Sequence, residues 1–158
     1  MMNNMEISKK NDVEFMKTAL QLAQEAAKMG EIPVGAIVVN GNGEIISSAY
    51  NLRETDKKAT AHAEILAIEQ ACAALGGWRL QGCTLYVTLE PCPMCAGALV
   101  NSRIDRVVFG AYDMQAGCCG SVLNFNAYPF NHSFVITGGV LEIECRNMLK
   151  DFFEGKRK

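Results

Sequence analysis

"LEPCPMCAGAL", Leu89 to Leu99, is the junction on which the fold turns. The residues before it, Cys83 to Leu89, alternate in the manner of a strand. Pro91 holds Glu90 in an extended conformation, and Pro93 suits the first turn of a helix, where a missing N–H costs nothing. Cys92 is therefore expected at the N-cap and Cys95 at the third helical position. A strand that passes directly into a helix, followed by a second strand at Arg106 to Ala111, points to an α/β protein.

Reading outward extends the pattern. Asp12 is a candidate cap for a first helix that carries Phe15, Ala19, Leu22, Ala26 and Met29 on one face and stops at Gly30. Val34 to Val39 reads as a strand, Asn40 to Gly43 ("NGNG") as a hairpin turn, and Glu44 to Tyr50 as the returning strand. Asn51 to Ala59 is a charged loop. Thr60 then caps a helix with Ile65, Ile68, Cys72 and Leu75 on its stripe and Gly76-Gly77 as its stop. Met114 to Asn131 carries weak local signals, Phe134 to Thr137 reads as a last strand, and Leu141, Cys145, Met148, Leu149 and Phe152 fall in register on a final helix. No repeat or linker interrupts the series. The expectation is one domain, residues 1–158, with helices on both faces of a mixed sheet.

Composition narrows the class of function. A chain of 158 residues with 49% hydrophobic and 20% charged residues has the composition of an ordinary globule, and its mean hydropathy is +0.07. No apolar run reaches the length of a membrane span, and Met1 to Lys10 is too polar for a secretory leader, so a cytoplasmic protein without membrane contact is expected. Seven cysteines in such a chain read as reduced thiols or metal ligands. A net charge of −2 with a pI near 5.7 offers no general attraction to nucleic acid.

The thiols at Cys92 and Cys95 lie where free N–H groups and the positive end of a helix favour thiolates. Cys-x-x-Cys supports three readings: half a tetrahedral zinc site, a redox dithiol, or core packing. A second stretch bears on the choice. "TAHAEILAIEQ", Thr60 to Gln70, holds His62, one of only two histidines, and Glu64 two residues on. Both stretches open a helix, and a doubly covered sheet can bring two helix mouths together. His62, Cys92 and Cys95 would then supply three ligands and leave the fourth position to water, the pattern of a catalytic zinc. Cys83, Cys118, Cys119, Cys145 and His132 remain other candidate ligands, though none has a paired spacing to Cys92 and Cys95. Glu64 is the expected proton carrier beside that water, and not a ligand.

His62-Ala63-Glu64 followed by Pro91-Cys92-Pro93-Met94-Cys95 forms the H-x-E…P-C-x-x-C pattern of zinc nucleobase deaminases. The runs "TAHAEI", "TLYVTLEPC", "MCAGAL" and "SRIDRVVFGA" resemble bacterial tRNA-specific adenosine deaminases, a branch of the zinc-dependent cytidine/deoxycytidylate deaminase superfamily. The similarity extends from about Val13 to Phe153. The resemblance implies a three-layer α/β/α fold with a central mixed five-stranded sheet and one zinc ion per chain, with no organic cofactor. It implies His62, Cys92 and Cys95 as zinc ligands, Glu64 as proton shuttle, and Asn51 and Asp113 as substrate contacts. It also implies a homodimer that acts on the wobble adenosine of a tRNA anticodon stem-loop and leaves inosine. Deamination of a free base or nucleoside of the guanine or cytosine type is the alternative, with the same metal and the same Glu64. An RNA enzyme of net charge −2 must gather its positive charge locally; Lys57, Lys58, Lys150, Lys156, Arg157 and Lys158 are the candidates.

Overall fold

The computed structural model describes residues 1–156 and shows a five-stranded mixed sheet between two layers of helices. In chain order the elements are α1 (Asn4–Lys28), β1 (Gly35–Val39), β2 (Ile45–Tyr50), a one-turn α2 (Arg53–Asp56), α3 (Ala63–Leu75), β3 (Thr84–Leu89), α4 (Pro93–Asn101), β4 (Arg106–Ala111), β5 (Val135–Thr137) and α5 (Glu142–Lys156). The sheet order is β2-β1-β3-β4-β5. β1 pairs antiparallel with both β2 and β3, while β3, β4 and β5 run parallel.

Alternation along the central strands divides the core. Ala36 and Val38, Leu85 and Val87, and Val107 and Phe109 face one cluster with α3 and α4. Ile37, Val39, Tyr86 and Val108 face the other, with Met16 and Ala19 of α1 and Cys145 of α5. Both faces of the central strands are therefore covered, which explains why β1 is buried at every position. Gly35 opens β1 because α1 lies directly on it: a side chain there would collide with the backbone of Ala19 and Ala23.

Four expectations require correction. Asp12 does not cap α1, which starts two turns earlier, at Asn4. Asn3 accepts from the Glu6 N–H at 2.9 Å while the Glu6 carboxylate accepts from the Asn3 N–H at 3.1 Å, a reciprocal capping box. Asp12 lies inside the helix and accepts from both Arg106 Nη atoms, at 2.9 and 2.7 Å, and from the Tyr86 hydroxyl at 2.8 Å, tying α1 to the sheet. The buried face of α1 accordingly runs through Asp12, Met16, Ala19, Ala23 and Ala26, and Met29 is exposed. Thr60 does not cap α3 either; His62 holds that position. The buried stripe of α3 is Ala63, Glu64, Ala67, Ile68 and Ala71, a face of small residues that brings the helix close to the sheet, while Leu75 is exposed.

Strand direction positions the site. β2 and β3 are both antiparallel to β1, so they run the same way and end at the same edge of the sheet. The chain leaves β2 for α3 and β3 for α4, so both helix N-termini open at that edge.

Candidate active site

His62 is the N-cap of α3 and Cys92 the N-cap of α4, and neither side chain makes a capping hydrogen bond. They turn toward each other instead. His62 Nδ1 lies 3.6 Å from Cys92 Sγ and 3.6 Å from Cys95 Sγ. Cys95 is at the third helical position, as its spacing predicts, and is fully buried. The three donor atoms lie within 4.8 Å of one another, and among the described residues no other group of three His, Cys, Asp or Glu side chains does so. A tetrahedral zinc ion with bonds of ~2.3 Å to sulfur and ~2.05 Å to nitrogen sets such donors about 3.6 Å apart. The residues therefore fit zinc in both chemistry and spacing. The hydrogen bond from Cys95 holds the Cys92 thiol down at about 4 against its partial burial, with His62 assisting. Making that bond, together with burial, pushes Cys95 up. A lowered thiol pKa favours the thiolate, the form that binds metal.

Glu64 is the second residue of α3, in the first turn at the same mouth, 4% exposed, and burial pushes its carboxyl up to about 7, with the neighbouring His62 opposing. A carboxyl poised near neutrality can both take and return a proton. Together with His62 and Cys92 it borders a cavity of about 170 Å³. That is smaller than the ~300–1,000 Å³ pockets that enclose drug-sized ligands, and it suits a single planar base. Ile32, Val34 and Leu89 supply apolar walls, while Asn51, Arg53 and Asp113 reach it from the surrounding loops.

Asn51 is buried and also shapes its own turn: its amide donates to the Ile32 carbonyl at 3.3 Å, and its Oδ1 accepts from the Arg53 N–H at 3.2 Å. Asp113 Oδ1 accepts from the backbone N–H groups of Gln115 and Ala116, so this residue too caps its loop while facing the cavity. The other candidate ligands lie apart from the cluster. His132 Nε2 meets the Ile104 carbonyl at 2.6 Å, and all seven cysteines are free thiols.

Sequence reasoning did not single out three residues around the cavity. Arg53 lies at its edge. Glu31, in the turn before β1, is buried and accepts from the N–H groups of Glu54 and Thr55 and from the Thr55 hydroxyl. Burial pushes its pKa up, but these hydrogen bonds and the Arg53 charge outweigh it and leave the carboxyl below its ordinary value. Glu90, read from sequence only as a strand end, is 2% exposed and receives four hydrogen bonds from the loop beyond β4. Of the basic candidates, Lys57 and Lys58 follow α2 and are exposed, and Lys150 lies 4.0 Å from Glu154. Lys156 donates to the Gly30 carbonyl at 3.3 Å, two residues from the cavity-lining Ile32. Arg157 and Lys158 lie outside the described residues.

Residues 9–111 match the family model of the cytidine and deoxycytidylate deaminase zinc-binding region. The tRNA-specific adenosine deaminase of Bacillus subtilis is 55% identical over 148 residues, spanning 93% of this chain and 91% of the relative. A solved structure from a study of A-to-I editing by tRNA:A34 deaminases at the wobble position superposes with a TM-score of 0.83 at 40% identity, over 85% of this chain and 98% of the other. A guanine deaminase from Bacillus subtilis superposes with a TM-score of 0.61 at 36% identity, over 84% of this chain and 79% of the other.

Proposed function

Because this chain belongs to the cytidine and deoxycytidylate deaminase family, we propose that it is a zinc-dependent tRNA adenosine deaminase, converting the wobble adenosine of an anticodon to inosine. The observation that carries the reading is the His62–Cys92–Cys95 cluster at one end of a base-sized cavity, with the Glu64 carboxyl buried beside it. The relatives support adenosine in tRNA over a free base: the tRNA deaminase is more similar in sequence, and the A34 deaminase in fold, than the guanine deaminase.

His62, Cys92 and Cys95 would hold the zinc ion. Bound there, zinc supplies Lewis-acid activation of water at neutral pH. The apolar walls of Ile32, Val34 and Leu89 sandwich a flipped adenine and shed its water, while Asn51 and Asp113 orient the nucleotide from the rim. Glu64 takes a proton from the attacking water as its oxygen bonds to C6. The same carboxyl delivers that proton to ring N1, then carries the second proton to the exocyclic nitrogen as the C6–N bond breaks. Ammonia leaves and inosine remains, so one water is consumed and all protons are accounted for.

The RNA reaches the pocket in a hairpin loop, whose bases are already partly unpaired, so extrusion costs little. Arg53, Lys57 and Lys58 share the segment 53–58 with Glu54 and Asp56, which leaves it a net charge of +1 beside the pocket. The exposed apolar residues Val122, Leu123, Tyr128 and Phe130, which continue to Phe125 and the end of α4, support a homodimer. The setting is the cytoplasm, where tRNA is edited; among the described residues no helix is long and apolar enough to cross a membrane. The reading is tested by incubating purified protein with total bacterial tRNA and sequencing for inosine. Inosine confined to anticodon wobble positions is expected, and unaltered tRNA would refute the proposal.

A further inference from the structure

We propose that Glu90 is a positioning residue: its carboxylate clamps the loop from Asp113 to Ser121 onto the segment that carries Cys92, and so fixes Asp113 at the rim of the pocket. The inference rests on the reading above, in which Asp113 contacts the nucleotide.

Glu90 directly follows β3, two residues before Cys92, and itself borders the cavity. Oε1 accepts from the Asp113 N–H at 3.1 Å and from the Ser121 hydroxyl. Oε2 accepts from the N–H groups of Cys119 and Ser121, each at 3.0 Å. Two backbone bonds run alongside, Glu90 N–H to the Ala111 carbonyl at 2.9 Å and Cys118 N–H to the Pro91 carbonyl at 2.8 Å. The loop thus folds around one side chain. Gly117 lies against the carboxyl group so closely that any side chain there would collide with it.

Four donors on two oxygens require a group with two acceptors and no donor. Glutamine satisfies half of them and turns its NH₂ onto the rest; aspartate is shorter by one methylene, about 1.5 Å. The position on the loop explains what the clamp does for the reaction. Asp113 and Ala116 line the same cavity as His62 and Cys92, and among the described residues Glu90 alone bonds the loop from the segment that carries Cys92 by its side chain. Losing the clamp lets Asp113 drift, and a misplacement of about 1 Å costs up to ~10²-fold in rate.

The test combines hydrogen exchange with a double-mutant cycle on an anticodon stem-loop RNA. In Glu90→Gln the amides of Asp113, Cys119 and Ser121 should exchange at least tenfold faster, while those of Tyr86 and Val108 in the sheet stay protected and the zinc content is unchanged. Catalytic efficiency should fall about 10- to 100-fold, yet the same substitution should cost less than about threefold in a protein that already carries Asp113→Ala. Gly117→Ala, which forces the loop off the carboxyl without removing it, should reproduce both patterns. Unchanged exchange at the three amides, or fully additive losses in the cycle, would overturn the inference, as would loss of zinc from Glu90→Gln. Wild-type protein inert on the stem-loop would refute the proposed function instead, and the exchange data would still decide whether the clamp exists.

Discussion

His62 and Cys92 both occupy N-cap positions, where a polar side chain ordinarily satisfies a free N–H of its helix, and neither does so. The capping energy given up, about 1 kcal/mol for each, is small beside what a bound zinc returns. Replacing His62 or Cys92 with alanine should therefore abolish tight zinc binding, read by metal analysis of the purified protein; a variant that retained one zinc per chain would remove that residue from the ligand set. Glu64 should behave differently. Glu64→Gln keeps shape and zinc but loses the base, so turnover should fall about 10²–10⁴-fold with metal content intact. Loss of zinc on that change would make Glu64 a ligand. The grouping of His62, Cys92 and Cys95 was legible in the sequence because Cys-x-x-Cys, open to three readings alone, shares a metal-binding use with the histidine at the other helix mouth. Glu90 and Glu31 were not, because their partners are backbone N–H groups from loops 23 to 31 residues away, and a backbone donor leaves no mark in a sequence.

Elements were legible where one physical signal dominated. β4 was read to the residue, and α4 with its cap, because proline fixed the start. The start of α1 was missed because its capping box lies in a polar stretch with no apolar period to announce a helix. The charged loop after β2 contains α2, whose single turn is held by Glu31 and not by its own composition. That clamp has a pH signature. The folded protein holds Glu31 below its ordinary carboxyl pKa, so the contribution is fully present above the unfolded value and is lost as pH falls through the lower folded value. Glu31→Gln should cost about 1–3 kcal/mol near neutral pH, since it leaves buried donors facing an NH₂ group. The loss should shrink as the acid is titrated; an equal loss at neutral and acid pH in denaturant melts would show that the charge on Glu31 is not what holds α2.

At the scale of the whole molecule, sequence alternation indicated helices on both faces of a mixed sheet, but not the strand order. That order brings β2 and β3 out at one edge and gathers three candidate ligands from two helix mouths into a single cluster. The chain's net charge of −2 leaves RNA affinity to local groups. Stem-loop binding should weaken as salt rises, and Lys57→Asn with Lys58→Ser should reduce the slope by about 0.7 per lysine; asparagine suits position 57 because its φ is 54°. An unchanged slope would place the phosphate contacts elsewhere. The most direct measurement is a comparison of rates on one enzyme preparation: adenosine in an anticodon stem-loop against free adenosine, guanine and cytosine at equal concentration. Far faster turnover of the stem-loop adenosine, with inosine and ammonia in equal amounts, is the predicted result. Efficient turnover of a free base with the stem-loop inert would contradict the assignment.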